Sequence, residues 1–247
     1  MIAFFLAIFK MGLFVKFLIL LLVGLAIWSW AIFLEKMAVL KIKKILFKSF
    51  EKEYYSGEML DKLYNALKDK PVIHSPSARI FYVGMKELKK SNITNIKFTM
   101  DYADGIKRNI RDRILSLTSG EKLAILEESK AGINSIASVS AVSPFIGICG
   151  CLWNLITTFQ DVAQNHPYIT ITELLPGIAE SLLPLVMAMA VTVPCVFFYN
   201  KLTWAINRFG AECDIFALEV GNSLGRELDI ISIQQHNSSG SDLPAKQ

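Results

Sequence analysis

Three long apolar stretches divide the chain, and they differ in kind. The first, residues 17–34, is an uncharged run of 18 residues built mainly from Leu, Ile and Phe. The second and third, residues 131–160 and 174–200, also contain small and polar side chains. Because about 20 apolar residues cross a hydrocarbon core, the pattern predicts three transmembrane helices. Small and polar residues in such helices are typical of close helix packing or of a polar path.

The segment between the first and second spans, residues 35–130, is predicted to be helical. Apolar residues recur at helical spacing in two stripes, and no strand-like alternation runs for more than a few residues. The stripes are Leu60, Leu63, Tyr64 and Leu67, and Ile106, Ile110, Ile114 and Leu117. The predicted fold is therefore an all-α membrane protein whose three transmembrane helices extend into a helical cytoplasmic domain.

The basic residues predict an orientation. Residues 35–130 contain 20 of the 26 Lys and Arg, whereas the loop at residues 161–173 contains none. The positive-inside rule places residues 35–130 and the C-terminus in the cytoplasm. The predicted order is an outer or interfacial segment 1–16, span 17–34, cytoplasmic loop 35–130, span 131–160, periplasmic loop 161–173, span 174–200, cytoplasmic helical extension 201–231 and disordered tail 232–247. An interfacial helix is favoured over a cleaved signal peptide for residues 1–11, since no basic start or small-residue cleavage site is present.

Composition narrows the class further. Hydrophobic residues make up 53% of the chain, mean hydropathy is +0.41, and the formal net charge is +4. Because Lys and Arg are interleaved with Asp and Glu along the chain, no basic patch indicates nucleic-acid binding. We find no phosphate-binding loop and no nucleophile motif. The three histidines are separated in sequence, and Cys149 and Cys151 face different sides of a helix. We therefore predict no enzyme activity, no metal site and no cofactor.

The polar residues of the second and third spans fall on helical faces. One face of the second span contains Ser140, Ser143, Gly147, Cys151, Asn154 and Thr158, and one face of the third contains Ser181, Leu185, Ala188 and Thr192. Two interpretations stay open at this point. Facing stripes can line a narrow pore, or they can be close-packing surfaces whose hydroxyls bond backbone carbonyls.

Glu180 is the one acid within the three predicted spans, near the outer end of the third. An ionisable group inside a membrane helix costs a few kcal/mol and marks a candidate functional site. Either it takes part in proton movement, or it lies at the interface or bonds a neighbouring chain. Because a proton relay needs more than one titratable group or water, a partner would have to supply the rest.

Residues 143–153 (SPFIGICGCLW) resemble the SPxxGLxGTVWG motif of the TolQ/ExbB/MotA proton-channel family. Residues 176–182 match its PGIAEAL motif, and residues 194–200 resemble its IPAVxxYN segment. The motifs occur in order and at matching spacing, and the predicted topology agrees. The chain resembles the TolQ branch most closely, with ExbB next and MotA more distant.

The resemblance implies an oligomeric ring, a pentamer in this family, in the bacterial inner membrane. A single-span partner of the TolR or ExbD type would lie inside it, and proton flow would drive a TolA- or TonB-type protein. This implies a TolQ-like stator subunit of the Tol-Pal system, serving envelope integrity and cell division; the alternative is an ExbB-like energiser of TonB-dependent uptake. Glu180 matches the family's membrane glutamate. The packing positions are Pro144, Gly147, Gly150 and Trp153, with Pro176, Gly177 and Pro194 in the other motifs.

The chain also departs from the family pattern. Two pore threonines of the family fall on Cys151 and Leu185, the glycine after the tryptophan is Asn154, and Pro184 interrupts the third span. A thiol is a poor substitute for a hydroxyl, and Leu offers no hydrogen bond. Either Asn154, Thr158, Ser181 and Thr192, with Ser143, rebuild the polar path, or the assembly is a poorly conducting scaffold. A substrate permease fits less well, because no internal repeat is present.

Overall fold

The computed structural model describes residues 12–57, 59–68, 74–93, 100–165 and 171–240. These residues form seven helices and no strands: α1 (Leu13–Tyr54), α2 (Leu60–Lys68), α3 (Pro76–Ile93), α4 (Met100–Lys130), α5 (Ile133–Asn165), α6 (Ile171–Ser181) and α7 (Leu183–Gly240). The predicted all-α class is confirmed. The predicted interfacial helix at residues 1–11 lies outside the described residues.

Three helical segments of the described chain are long and apolar enough to cross a membrane: Leu13–Tyr54, Ile133–Gln164 and Leu174–Ile230. Each overlaps one predicted span almost completely, so the chain is an all-α membrane protein. The first and third continue well beyond the length that a bilayer requires, which is about 20 residues. Helix α1 contains no proline or glycine after Gly24. The next glycine is Gly57, which lies beyond the end of the helix and has a left-handed φ of 80°.

The chain divides into two compact units. The first contains the described residues up to Met37 together with Lys130–Trp204, and the second contains Ala38–Ser129 and the chain from Ala205 onward. Helices α1 and α7 therefore each contribute residues to both units, whereas α5 and α6 belong to the first and α2 and α3 to the second.

In the first unit, α1 packs along α7 in the same direction. Val15 and Ile19 are buried near the start of α1, where Leu183 and Met187 pack against them. Further along, the Phe33 ring stacks on Phe198 with centroids 4.2 Å apart. The residue numbers of the contacting side chains increase along both helices, so α1 and α7 run parallel.

The second unit is a helical bundle with an aromatic core. Phe47 of α1 contacts Phe209 and Phe216 of α7, with ring centroids 5.7 and 5.6 Å apart. Charged pairs join helices around this core: Lys44 binds Glu212 at 2.7 Å, and Lys122 of α4 binds Asp214 at 2.6 Å. The apolar stripe of α2 is present, with Leu63, Tyr64 and Leu67 buried.

Two expectations differ from the structure. Helix α7 continues to Gly240, so residues 232–240 are helical rather than part of a disordered tail. This stretch contains neither proline nor glycine before Gly240, and residues 241–247 lie outside the described part. In α4, Leu117 is 39% exposed and Thr118 is buried. Thr118 lies four residues after buried Ile114, and its hydroxyl bonds the Ile114 carbonyl at 3.0 Å, so a polar residue occupies the inward position.

Candidate functional site

Part of the polar face of α5 is buried inside the first unit. Ser143, Gly147, Gly150 and Asn154 follow one another at steps of three and four residues, and all are buried. Buried residues on α6 and α7 show the same spacing. We call this contact the seam, defined by Ser143, Gly147, Gly150, Asn154 and Thr158 on α5 and Gly177, Ser181, Pro184 and Ala188 on α6 and α7.

Glycines bring the helices of the seam into close contact. A methyl group on Gly150 would meet Cβ of Pro184 at 3.0 Å. One on Gly147 would meet the Pro184 carbonyl oxygen and the Leu185 Cα, both at 3.2 Å, and would clash with the Ala188 side chain. Any residue larger than glycine would therefore push α5 away from α7.

A third glycine fixes the end of the seam next to the loop at residues 161–173. Gly177 of α6 lies against Thr158 of α5, whose Oγ1 would be 3.2 Å from a methyl group at that position. Since Gly150 meets Pro184 and Thr158 meets Gly177, residue numbers rise on α5 as they fall on α6 and α7. The helices are antiparallel, and the register places Asn154 opposite Ser181.

The hydroxyls of the predicted polar path donate to carbonyls of their own helices. Ser143 bonds Val139 at 2.6 Å, Thr158 bonds Asn154 at 2.9 Å, and Ser181 bonds Ile178 at 2.7 Å. Thr192 bonds the Ala188 carbonyl at 2.8 Å in the same way. Each hydroxyl proton is therefore already in use, and the lone pairs of each oxygen remain as acceptors.

Glu180 lies in the last turn of α6, half-buried, directly before a break in the helix. Its carboxylate makes no hydrogen bond or ion pair with any described residue. Helix α6 ends at Ser181 and α7 begins at Leu183. The break therefore lies at Leu182, two residues before Pro184, where the sequence predicted the interruption. Proline has no N–H to donate to the carbonyl four residues before it, so the Glu180 carbonyl loses its helical donor.

The two positions where the family motif has threonine lie at the edge of the seam. Cys151 and Leu185 are both half-buried, so each is partly open to whatever lies beside the first unit. Thr192, about two turns after Leu185 along α7 and also half-buried, shares this edge position. The interior of the seam is buried and its edge is half-buried. The sequence pattern placed the residues of both on one helical face.

The other motif residues lie in less confined surroundings. Trp153 is 47% exposed, and its ring lies 4.8 Å from that of Phe14 on α1. Pro144 and Pro194 are half-buried inside α5 and α7, and Pro176 is exposed in α6.

One buried polar contact was missed in the sequence. Ser29 of α1 is fully buried and lies 3.2 Å from the Cys195 sulfur of α7. The available signal was that Ser29 is the one hydroxyl residue in the otherwise apolar span 17–34. It adds a polar link to the parallel packing of α1 on α7.

The thiols and acids do not form a metal centre in the described part of the chain. All four cysteines are free, with Cys195 and Cys213 buried. Burial, reinforced by the nearby Glu212 charge, raises the pKa of Cys213 to about 12. The Cys213 thiol is therefore protonated at neutral pH and is a packing group of the second unit.

Comparisons with known proteins agree with the motifs. The model of the MotA/TolQ/ExbB proton channel family matches residues 72–214. The chain is 29% identical to the Tol-Pal system protein TolQ of Haemophilus influenzae, over 80% of this chain and 83% of that protein. It is 26% identical to the TolQ of Pseudomonas aeruginosa, over 76% and 78% of the two chains. It is 24% identical to the biopolymer transport protein ExbB of Salmonella typhimurium, over 83% and 80%.

Proposed function

This chain belongs to the MotA/TolQ/ExbB proton channel family, and we propose that it is a TolQ-like stator subunit of the bacterial inner membrane. In this role it assembles into a ring, a pentamer by family resemblance, around a TolR- or ExbD-type single-span partner. Proton flow through the assembly does work on a TolA- or TonB-type protein. Identity to the two TolQ proteins, 29% and 26%, is higher than the 24% identity to the ExbB of Salmonella typhimurium, and this difference favours the Tol-Pal branch over the ExbB branch.

The sparse burial of the spanning helices supports an oligomer. In the most apolar windows of the three segments, 17%, 28% and 33% of residues are buried within one chain. Exposed side chains include large ones such as Phe145, Phe159 and Phe197. Lipid can cover these surfaces, and so can further copies and a partner helix. The half-buried seam edge, with Cys151, Leu185 and Thr192, is the part of the polar face still open to such neighbours.

The unpaired carboxylate of Glu180 is the single observation that carries the proton-path role. A charged group in a membrane span is costly unless it has a partner or water, and no described residue supplies a partner. A carboxylate in this setting can bind and release a proton. Each proton that crosses a potential of 100 mV releases about 2.3 kcal/mol, so a few protons can power a conformational step.

Replacement of Glu180 tests this proposal. Glu180→Gln and Glu180→Ala should abolish energised function, measured as detergent resistance of cells that depend on this protein, while membrane fractionation shows normal insertion. Glu35→Gln is a matched control, because Glu35 is exposed on α1 and makes no hydrogen bond or ion pair with a described residue. Full function in both Glu180 variants would contradict the proton-path role.

A non-conducting scaffold is the second candidate. The observation that favours it is that the two family threonine positions hold Cys151 and Leu185 at the open edge of the seam, where neither side chain replaces a hydroxyl well. A scaffold would still organise partner helices, but Glu180 would then be dispensable.

A further inference from the structure

Asn154 lies mostly buried in the seam, and its side chain keeps a small exposed fraction. It is 6% exposed, and its carboxamide offers two N–H donors and an acceptor oxygen. No described residue bonds this carboxamide; the two threonine hydroxyls that bond Asn154 reach its backbone carbonyl. A polar group in such surroundings is costly unless it finds a hydrogen-bond partner, and the polar atoms of this carboxamide keep enough exposure for a water to reach them.

The helix break also leaves the Glu180 backbone carbonyl, which lies opposite Asn154, without a helical N–H donor. The register of the seam places Asn154 between the Gly150–Pro184 and Thr158–Gly177 contacts, at the level of Glu180 and Ser181. Pro184 has no N–H for the Glu180 carbonyl. The next helical hydrogen bond that forms runs from the Val186 N–H to the Leu182 carbonyl at 3.1 Å.

We propose that Asn154 is a positioning residue for Glu180, acting through one bound water. The Asn154 amide donates to the water, the water donates to the Glu180 backbone carbonyl, and the Ser181 oxygen supplies a further acceptor. A buried water needs two to four polar partners, and these three groups provide them. The bridge replaces the N–H that Pro184 lacks and holds the turn carrying the Glu180 carboxylate against α5.

This inference rests on the proposed function for its consequence, because a fixed Glu180 matters only if Glu180 handles protons. It also explains two departures from the family motif together. Pro184 interrupts the span, and Asn154 stands where the motif has glycine; the second change supplies a donor for the carbonyl that the first one frees.

The chain allows the Glu180 carbonyl to be observed selectively. Glutamate is followed by serine at two places, Glu128–Ser129 and Glu180–Ser181. Protein labelled with carbonyl-¹³C glutamate and ¹⁵N serine therefore gives two correlated NMR signals, and Ser129→Ala assigns them. The Glu128 carbonyl in the second unit is the internal reference.

Three variants form the test: Asn154→Leu, Pro184→Ala and the double variant. In the full chain reconstituted in lipid, N154L should move the Glu180 carbonyl signal and leave that of Glu128 in place. P184A should move it as well, because a direct N–H replaces the water. In the P184A background, N154L should produce no further movement.

Proton flux in liposomes containing a TolR-type partner gives the second readout. N154L should lower flux about tenfold, as expected for the loss of a hydrogen bond that holds Glu180, and the double variant should restore it to within about twofold of P184A. If N154L fails to assemble while N154L/P184A assembles, the same coupling is demonstrated.

An unmoved Glu180 signal in N154L would overturn the inference, as would an equal effect of N154L in both backgrounds or failure of both variants to assemble. A wild-type protein without proton flux, in which the carbonyl signal nevertheless responds as described, would overturn the proposed channel function and leave the link between Asn154 and Glu180 standing.

Discussion

At the scale of single residues, glycine controls how closely the first unit packs. A methyl group placed on Gly147 would lie 3.2 Å from backbone atoms of α7, whereas nothing lies within 4 Å of a methyl group placed on Gly24 of α1. In lipid, helices associate through close packing rather than hydrophobic force, so contact at Gly147 contributes directly to stability. The two glycines are otherwise comparable, since each lies inside a predicted span.

The contrast between these glycines predicts opposite effects of substitution. Gly147→Val should destabilise the protein by roughly 1–3 kcal/mol, because added carbons force α5 from α7. Gly24→Ala should be neutral or stabilise α1 by up to about 1 kcal/mol, because alanine is the better helix former. Denaturant unfolding in detergent measures both, and equal stability of the two variants would contradict the packing role of Gly147.

Single residues also explain why one predicted face became two environments. Ser143 and Cys151 share a helical face in the sequence, yet Ser143 is buried in the seam and Cys151 lies at its edge. Helical spacing gives the face of a residue but not the width of the surface that a neighbouring helix covers. That width depends on the Gly147 and Gly150 contacts, which only the three-dimensional structure contains.

At the scale of helices, the span count and the stripe of α2 could be predicted because each depends on local hydrophobic periodicity. The position of the α6–α7 break could be anticipated only approximately. Proline predicts an interruption in its neighbourhood, whereas the location at Leu182 depends on how Pro184 fits against α5. The burial of Thr118 was not predictable from hydrophobicity, because a polar residue is expected at the surface. Threonine can be buried here because its hydroxyl bonds a carbonyl of its own helix.

Arg79 of α3 links that helix to two carboxylates of α4 in the second unit. Arg79 binds Glu121 at 2.6 Å and Glu128 at 3.0 Å, and these carboxylates raise its pKa against the opposing effect of burial. A guanidinium can serve two carboxylates at once because its N–H groups form a planar fork. Lysine cannot reproduce this geometry.

Arg79→Ala should therefore lower the stability of the protein by about 1 kcal/mol, since the pair with Glu121 is only partly exposed while Glu128 is well solvated. Arg79→Lys should recover only part of that loss. Arg108→Ala is the control, because Arg108 is exposed on α4 and pairs with no described residue. Denaturant unfolding monitors all three, and an Arg79→Ala protein as stable as the control would refute this role.

At the scale of the whole molecule, the distribution of Lys and Arg predicts the orientation across the membrane. Gln164→Cys in the 161–173 loop should react with a membrane-impermeant maleimide in intact spheroplasts, because that loop is predicted to be periplasmic. Arg108→Cys should react only after permeabilisation. Both positions are exposed, and the native cysteines are replaced by alanine beforehand. The reverse labelling pattern would show that the predicted orientation is wrong.

We propose that the assembly conducts protons and that this conduction requires Glu180. The most direct measurement is proton flux into liposomes that contain this chain and a TolR-type partner, under an imposed membrane potential, with Glu180→Gln and Glu35→Gln in parallel. We expect flux well above that of empty liposomes for the wild type and for E35Q, and background flux for E180Q. Background flux for the wild type, or wild-type flux for E180Q, would contradict the claim.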